Sequence, residues 1–565
     1  MSSEFDSDAF PTEPVALTGD GGGPQFYLNA DARAGTGDNG KISFTIEQAA
    51  DRLTGGEAGW GGVLGGATSV SYGFRADAPA SMPSDTSGFT RFNEAQITQA
   101  ELALTAWSDV ANITFIRAGT GAAGEAAYSN SATILFANYS AGEEGSSAFG
   151  YYPGSRTASS SAGDVWVNST LSYNSAPSMA NYGGQVLLHE LGHAIGLSHP
   201  SDYNAQTGVT ITYAADASYY EDSRQYTVMS YFGGFNTGAD LPGYSAVPLL
   251  DDIAAAQIEY GANLSTRTGD TTYGFHSTAD RPWFQLDSAA STAQFAIWDA
   301  GGDDTLDFSG YSDRQVIDLR PGFFSDVGGY AGNVVIAKGA DIENAIGGAN
   351  ADRINGNALG NRLQGGGGDD TIWGGAGNDQ IQAISGSTYL RGEAGDDSVS
   401  GGSGFDDING NMGADTASGH LGGDWVVGGQ GDDLLNGDEG DDIVYGNMGN
   451  DWCDGGVGAD VVRGGQGDDI LLGQAGDDWL SGDRGNDTET GGAGADTFYS
   501  FGDAGVDRIT DFNRAEGDRI QLDPGTSYAV AQSGADTVIS IAGGAQVILV
   551  SVQASSLTAG WIIGV

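Results

Sequence analysis

Three histidines and a glutamate fall within eleven residues of this chain: His189, Glu190, His193 and His199. The whole chain has five histidines, so the window from Gln185 to Pro200 holds most of its imidazole. On a helix, His189 and His193 are four apart and project from one face about one turn apart. That spacing suits two imidazoles on one zinc ion, and Glu190 beside the first is placed to hold a water on the metal rather than to bind it. Gly196 can take a left-handed conformation at the helix end, so the chain can turn sharply and bring His199 back as a third ligand, and Pro200 stops any helical continuation. The bare H-E-x-x-H pattern occurs by chance in buried helices. The longer H-E-x-x-H-x-x-G-x-x-H pattern fixes five positions, each with a mechanical reason.

Several elements must position these residues. Ala67 to Phe74 alternates and reads as a strand. Asn93 to Val110 reads as an amphipathic helix, with Ile97, Ala100, Leu104, Trp107 and Val110 at helical spacing and Asn93 with Gln96 as a capping pair. Asn112–Arg117, Ala132–Asn138 and Asp164–Asn168 read as strands, and the histidine helix is expected from about Met179. This order implies a mixed sheet carrying two long helices. A third helix is predicted over Leu250–Tyr260, stopped by Gly261, and a domain boundary is placed near 261–265, where short strands rich in Asp and Gly take over.

Two bulk numbers are abnormal. Glycine is 95 of 565 residues, and 75 acids against 21 bases give a net charge of −54. Such acidity argues against nucleic acid and against anionic membranes as partners. The chain contains no apolar run of the ~18 residues needed to span a bilayer, and its N-terminus shows no Sec-type signal. With Cys453 as the one cysteine, no disulfide can form within the chain. Cys453 reads as a small buried hydrophobe.

From Gly347 to Tyr499 a nine-residue repeat runs without a slip for 17 units. Position six is aspartate in fifteen of them: Asp352, Asp370, Asp379, Asp397, Asp406, Asp415, Asp424, Asp433, Asp442, Asp451, Asp460, Asp469, Asp478, Asp487 and Asp496. Asn361 and Thr388 are the exceptions, and position eight is usually apolar. This Gly-Gly-x-Gly-x-Asp-x-apolar-x pattern predicts a parallel β-roll in which carboxylates and turn carbonyls of stacked turns share Ca2+. The repeat holds 28 acids and five bases, a balance of −23, which bound calcium would offset. Without calcium the carboxylates repel and the glycine-rich backbone has no compensation for its entropy, so the roll is expected to fold outside the cell. Residues 500–565 read as a β-rich cap.

The zinc stretch, the segment Tyr226–Phe232 containing Met-Ser-Tyr, and the calcium roll together resemble serralysin, a secreted metzincin endopeptidase of Gram-negative bacteria. The resemblance implies an α+β metzincin-like zinc protease domain over 23–262 behind a leader or pro-segment over 1–22. Beyond it come the start of a calcium-binding β domain at 263–346, the all-β parallel roll at 347–499, and a cap bearing a type I secretion signal at 500–565. It implies one catalytic zinc on His189, His193 and His199, and Met229 as the Met-turn beneath the site. Tyr231 would be a movable fifth ligand that also stabilises the oxyanion, and Glu190 the general base acting on a zinc-bound water.

An extended protein substrate would add to an edge strand, expected at Thr133–Tyr139 with Thr133, Leu135, Ala137 and Tyr139 along it. Structural calcium would be held by the backbone oxygens of Arg267, Gly269 and Thr271 with Asp299, Gly301 and Asp304 completing the site, then by Gly302, Asp304, Asp341 and Glu343, where a backbone oxygen of Asp341 would serve. Within the roll, Gly348, Asn350 and Asp352 would meet Gly365, Gly367 and Asp370, and the later position-six aspartates would follow suit. The implied partners are protein substrates, the type I secretion machinery and bacterial cell-surface protein, with the chain a monomer. Three features depart from the pattern: the roll is longer than is typical, the C-terminus lacks the usual acidic residue, and Cys453 lies where it cannot serve as a cysteine switch. A different class of function is a calcium-dependent surface or matrix protein with a retired protease domain. Retention of Glu190 and Tyr231 favours the enzyme.

Overall fold

The computed structural model describes residues 27–83, 86–142, 147–153, 162–179, 181–203, 210–557 and 559–564. The leader expected over 1–22 lies outside the described residues, as does the terminal Val565.

The first half of the chain builds a five-stranded sheet and its covering helices. Helix α1 (Ile46–Thr54) precedes strand β1 (Thr68–Phe74), which leads to α2 (Glu94–Val110). The capping pair read from the sequence is present: Asn93 Oδ1 accepts the Gln96 N–H at 2.9 Å, and Gln96 Oε1 accepts the Asn93 N–H at 3.0 Å. Strands β2 (Ile113–Arg117), β3 (Ile134–Tyr139), β4 (Ala148–Gly150) and β5 (Val165–Asn168) follow. Then come α3 (Tyr182–Ile195), which carries the histidines, and α4 (Leu250–Tyr260). Helix α3 begins three residues later than Met179 because Asn181 caps it, its side chain accepting the Gly184 N–H at 3.1 Å. Helices α2 and α3 pack together, and the buried Trp107 indole N–H donates to Leu188 O across that contact at 3.1 Å.

The strand order is β2-β1-β3-β5-β4, parallel except for β4, which runs antiparallel to β5. This order corrects the expected substrate strand. β3 is internal: Gly73 of β1 pairs with Leu135 on one side, and Trp166 of β5 pairs with Ala137 on the other. Thr133 N donates to Ser71 O at 3.1 Å, and Leu135, Ala137 and Tyr139 are buried. The continuous run Ile-Leu-Phe-Ala is the pattern of a strand covered on both faces. The sheet's edges are β2 and β4, and β4 is the one beside the histidine helix.

The N-terminal segment clamps this half to the next. Arg33 is wholly buried and bidentate on Asp251, at 2.8 and 2.9 Å, with Glu221 3.7 Å away. Leu28 N donates to Tyr226 Oη at 2.9 Å, and Phe324 N donates to Asn29 Oδ1 at 2.9 Å.

The second half is a parallel solenoid of two long sheets, one of fifteen strands and one of twelve. Successive nine-residue units alternate between the sheets, so each strand pairs with the one eighteen residues on: Trp425 with Ile443, then Val461, then Trp479. Position eight points inward; Ile408, Val426, Leu435, Cys453 and Leu480 are fully buried. Glu489 breaks that apolar ladder and is also buried, its Oε1 accepting the Gly482 N–H at 3.0 Å. The turns stack so closely that a Cβ on Gly431, at φ +131°, would sit 1.8 Å from Gly413 O. Short strands at Thr272–Gly274, Thr305–Asp307, Val316–Asp318 and Asn344–Ile346 start the two sheets, and the antiparallel hairpin Tyr528–Ile541 ends the longer one.

Replacing Arg33 with Met should strand Asp251 and Glu221 as buried, unpaired carboxylates, at a cost of about 3–5 kcal/mol. Urea unfolding followed by tryptophan fluorescence reads this directly. A loss below about 1 kcal/mol, the range of an exposed pair, would contradict the clamp.

Candidate active site

Helix α3 delivers His189 and His193 on one face, and the chain reverses at Gly196 (φ 120°, ψ −7°) to bring His199 opposite them. The Nε2 of His199 lies 3.2 Å from Nε2 of His189 and 3.1 Å from Nε2 of His193. Each ring turns its other nitrogen to a backbone carbonyl. His189 Nδ1 meets Val228 O at 2.8 Å, His193 Nδ1 meets Leu197 O at 2.7 Å, and His199 Nδ1 meets Tyr203 O at 2.8 Å. Since a carbonyl only accepts, each Nδ1 carries the proton and each Nε2 presents a lone pair to the common centre.

Burial, reinforced by the neighbouring imidazoles, lowers His189 to about 3 and His193 well below its ordinary value, so both rings stay neutral. Three imidazoles converging through Nε2 form a donor set that fits zinc, and they are the one group of three or more potential metal-ligating side chains that close together among the described residues.

Glu190 is almost fully buried, and burial pushes its carboxyl up to about 8, opposed by a hydrogen bond from the Gly150 backbone. That contact joins the edge strand to the histidine helix; a Cβ on Gly150 would lie 2.5 Å from Glu190 O. Met229 packs beneath α3, where the missing side chain of Gly192 makes room: a Cβ there would lie 2.5 Å from Met229 Sδ. The Tyr231 ring stands 4.7 Å from that of His199 and 5.8 Å from that of His189, centroid to centroid. The Tyr152 ring meets His193 edge-on at 5.4 Å.

The carbonyl that fixes His189 is itself fixed. Asp252, in the first turn of α4, accepts the Val228 N–H at 2.7 Å, the Leu249 N–H at 2.8 Å and the Thr227 hydroxyl. Gly150, Gly192 and Asp252 escaped the sequence reading. Only the glycine inside the histidine motif left any local trace there.

The predicted calcium ligands ahead of the roll come together in part. Asp304 Oδ1 accepts the Thr271 N–H at 2.7 Å, while its Oδ2 is buried with no hydrogen-bond partner. A Cβ on Gly302 would lie 2.8 Å from both Asp304 Oδ1 and the Gly269 carbonyl carbon. Asp299 Oδ1 accepts the Gly301 N–H at 2.9 Å, and Glu343 Oε2 accepts the Asp304 N–H at 2.8 Å. The Arg267 guanidinium bonds Asp109 at 3.0 Å and Asp341 is exposed; both are expected to serve by backbone oxygen, on which these side-chain positions do not bear.

Within the roll, Gly367 N donates to Gly348 O at 3.1 Å, and Asn350 Nδ2 donates to Ser312 O. The position-six aspartates repeat one geometry: Oδ1 accepts the N–H of position six eighteen residues earlier, as Asp451 does from Asp433 at 2.9 Å. Oδ2 turns into the turn, beside the first glycine of its unit; a Cβ on Gly365 would lie 2.2 Å from Asp370 Oδ2. Thirteen of these Oδ2 atoms, from Asp370 to Asp496, are buried with no hydrogen-bond partner. Burial, with neighbouring carboxylates adding to it, raises Asp370, Asp433 and Asp469 to about 7. Stacked, orphaned carboxylate oxygens with turn carbonyls beside them fit a hard cation such as Ca2+. The two units without aspartate donate from uncharged side chains instead: Asn361 Nδ2 donates to Glu343 O at 2.9 Å, and Thr388 Oγ1 donates to the Asp406 carboxylate at 2.7 Å.

Known proteins share both halves. Residues 262–558 match the family described as Peptidase M10 serralysin C terminal, and residues 84–224 match Matrixin. Over 319 residues the chain is 49% identical to Serralysin C of Dickeya chrysanthemi, a match covering 56% of this chain and 65% of that one. It is 45% identical over 341 residues to Serralysin G of the same organism, covering 60% and 70%. It is 43% identical over 341 residues to Metalloprotease AprA of Pseudomonas entomophila (strain L48), covering 59% and 68%. The match thus spans about two thirds of the length of these relatives.

If the orphaned oxygens are cation ligands, chelation with EGTA should abolish much of the β-sheet circular dichroism of the full chain, and millimolar calcium should restore it. A spectrum indifferent to both additions would count against calcium in the roll.

Proposed function

The chain belongs to the serralysin family of metalloproteases, and we propose that it is a secreted zinc endopeptidase stabilised by structural calcium. The observation that carries this reading is the convergence of three Nε2 lone pairs, each fixed by a carbonyl on the opposite ring nitrogen, beside the buried carboxyl of Glu190. In this reading residues 23–262 form the protease domain, 263–346 and 347–499 the calcium-binding β region and roll, and 500–565 the cap.

His189, His193 and His199 would hold one zinc ion, which when bound supplies Lewis acidity to a water and to the scissile carbonyl. Glu190 takes the proton of the attacking water and returns it to the leaving amine. Tyr231, edge-on to His199, donates its phenol hydrogen to the oxyanion that develops on the carbonyl oxygen. An extended substrate pairs with the open side of β4, whose Gly150 abuts the helix turn carrying Glu190 and His193. Tyr152, against His193 and 43% exposed, lines that approach.

Protein substrates and an extracellular site of action follow from membership of a protease family and from a roll that needs calcium. Export by the type I route goes with that assignment. No helix among the described residues is long and apolar enough to cross a membrane. A retired protease kept as a surface or matrix module is the weaker reading, because the three rings and Glu190 keep a working arrangement.

Casein hydrolysis by the zinc-loaded, calcium-bound chain should fall by at least about 100-fold in Glu190→Ala, the scale of a lost general base. A zinc chelator should abolish the activity, and added zinc should bring it back. Equal turnover by the wild type and Glu190→Ala, both folded and zinc-loaded, would overturn the enzyme assignment.

A further inference from the structure

We propose that Asp222 is a positioning residue for the third histidine and for Tyr231, acting through Tyr203; this rests on the zinc reading above. Asp222 lies 23 residues beyond His199 in sequence and is fully buried. Three hydroxyls converge on its carboxylate. Tyr203 Oη and Ser230 Oγ donate to Oδ1, each at 2.7 Å, and Ser201 Oγ donates to Oδ2 at 2.7 Å. Among the described residues no Lys or Arg makes an ion pair with it, so these three hydroxyls are the donors its carboxylate accepts.

Two of the three donors lead to the candidate centre. Tyr203 supplies the carbonyl that takes the His199 Nδ1 proton, and its ring stacks on His199 at 5.3 Å and 21°. Its hydroxyl also lies 3.4 Å from the Tyr231 N–H, and the two tyrosine rings are 5.0 Å apart. Ser230 sits between Met229 and Tyr231, and its Oγ accepts the Phe232 N–H at 3.1 Å. Anchoring Tyr203 therefore sets both the tautomer and the tilt of His199, while anchoring Ser230 sets the backbone that presents Tyr231.

His189 and His193 ride on a helix, which already sets their direction. His199 lies beyond the helix end, on irregular backbone, and is the ligand whose direction the local fold leaves loosest. Asp252 plays the corresponding part for the carbonyl facing His189. The third donor, Ser201, is bonded to Asp222 at the same distance, on the carboxylate oxygen that Tyr203 Oη and Ser230 Oγ do not use, and its hydroxyl also bonds Ser218 Oγ at 2.8 Å.

The test is the zinc dissociation constant of the full chain in millimolar calcium, measured by competition with a chromophoric chelator and paired with peptide kinetics. Asp222→Asn and Tyr203→Phe should each weaken zinc by about 10–100-fold, the usual effect of losing an outer-shell partner of a metal-ligating histidine. Once reloaded with excess zinc, both should show a lower kcat with KM little changed, because Tyr231 is displaced from where charge develops. Ser201→Ala should keep wild-type zinc affinity. The proposal fails if Asp222→Asn and Tyr203→Phe hold zinc as tightly as the wild type, or if Ser201→Ala loses it to the same degree. Should Asp222→Asn not fold, by circular dichroism, Tyr203→Phe decides alone. A wild type that takes up no zinc overturns the zinc reading itself, a separate result.

Discussion

A backbone carbonyl opposite each imidazole is the constraint on which the candidate centre depends. A histidine ring can present either nitrogen, and only a fixed partner on Nδ1 commits Nε2 to the middle. The three carbonyls come from three unlike places: Val228 in the segment before Met229, Leu197 just past the helix end, and Tyr203 in the loop beyond His199. Holding them in register requires most of the protease half. Helix α4 holds the first through Asp252, and the reversal at Gly196 places the second. The N-terminal segment braces the strand of chain bearing the rest, through Arg33 on Asp251 and Glu221.

The two halves solve opposite electrostatic problems. Around the histidines, burial keeps the His189 and His193 rings uncharged. In the roll, burial raises aspartates that have no basic neighbours to pair with; the 153-residue repeat holds five bases. Desolvated carboxylate oxygens at this density are costly unless a cation or a proton joins them. The apolar ladder at position eight is narrow, one side chain per unit, and leaves little hydrophobic burial to offset that cost.

Local chemistry was legible in the sequence, and pairing between distant segments was not. The capping box of α2, the span of α4 and the nine-residue register could be read because each depends on residues within a few positions of one another. The histidine motif carries its own spacing for the same reason. The edge strand was misassigned because edge status depends on which strand lies beside which. β3 can be read from the sequence whereas the three-residue β4 was not, and only the ladders to β1 and β5 show which of them is internal. Arg33 and Asp251 are 218 residues apart, and Asp222 reaches the centre through a tyrosine hydroxyl; neither connection leaves a periodic trace. The exceptional position-eight residue, Glu489, stood in plain view but acquires meaning only once the inward direction of that position is fixed.

The alternation of units between two sheets limits how such a roll can change in length. Each strand pairs with the one eighteen residues away, so a two-unit step is the smallest that preserves every ladder. Loss or gain of a single nonapeptide would transfer all later units to the opposite sheet, turning the outward row at Trp425, Ile443, Val461 and Trp479 to the other side of the solenoid. It would also present the C-terminal hairpin to the wrong sheet, since Tyr528–Ile541 extends only the fifteen-stranded one. Lengthening by duplication should therefore proceed in pairs of repeats, and the parity of the repeat number is itself an inherited character of the molecule.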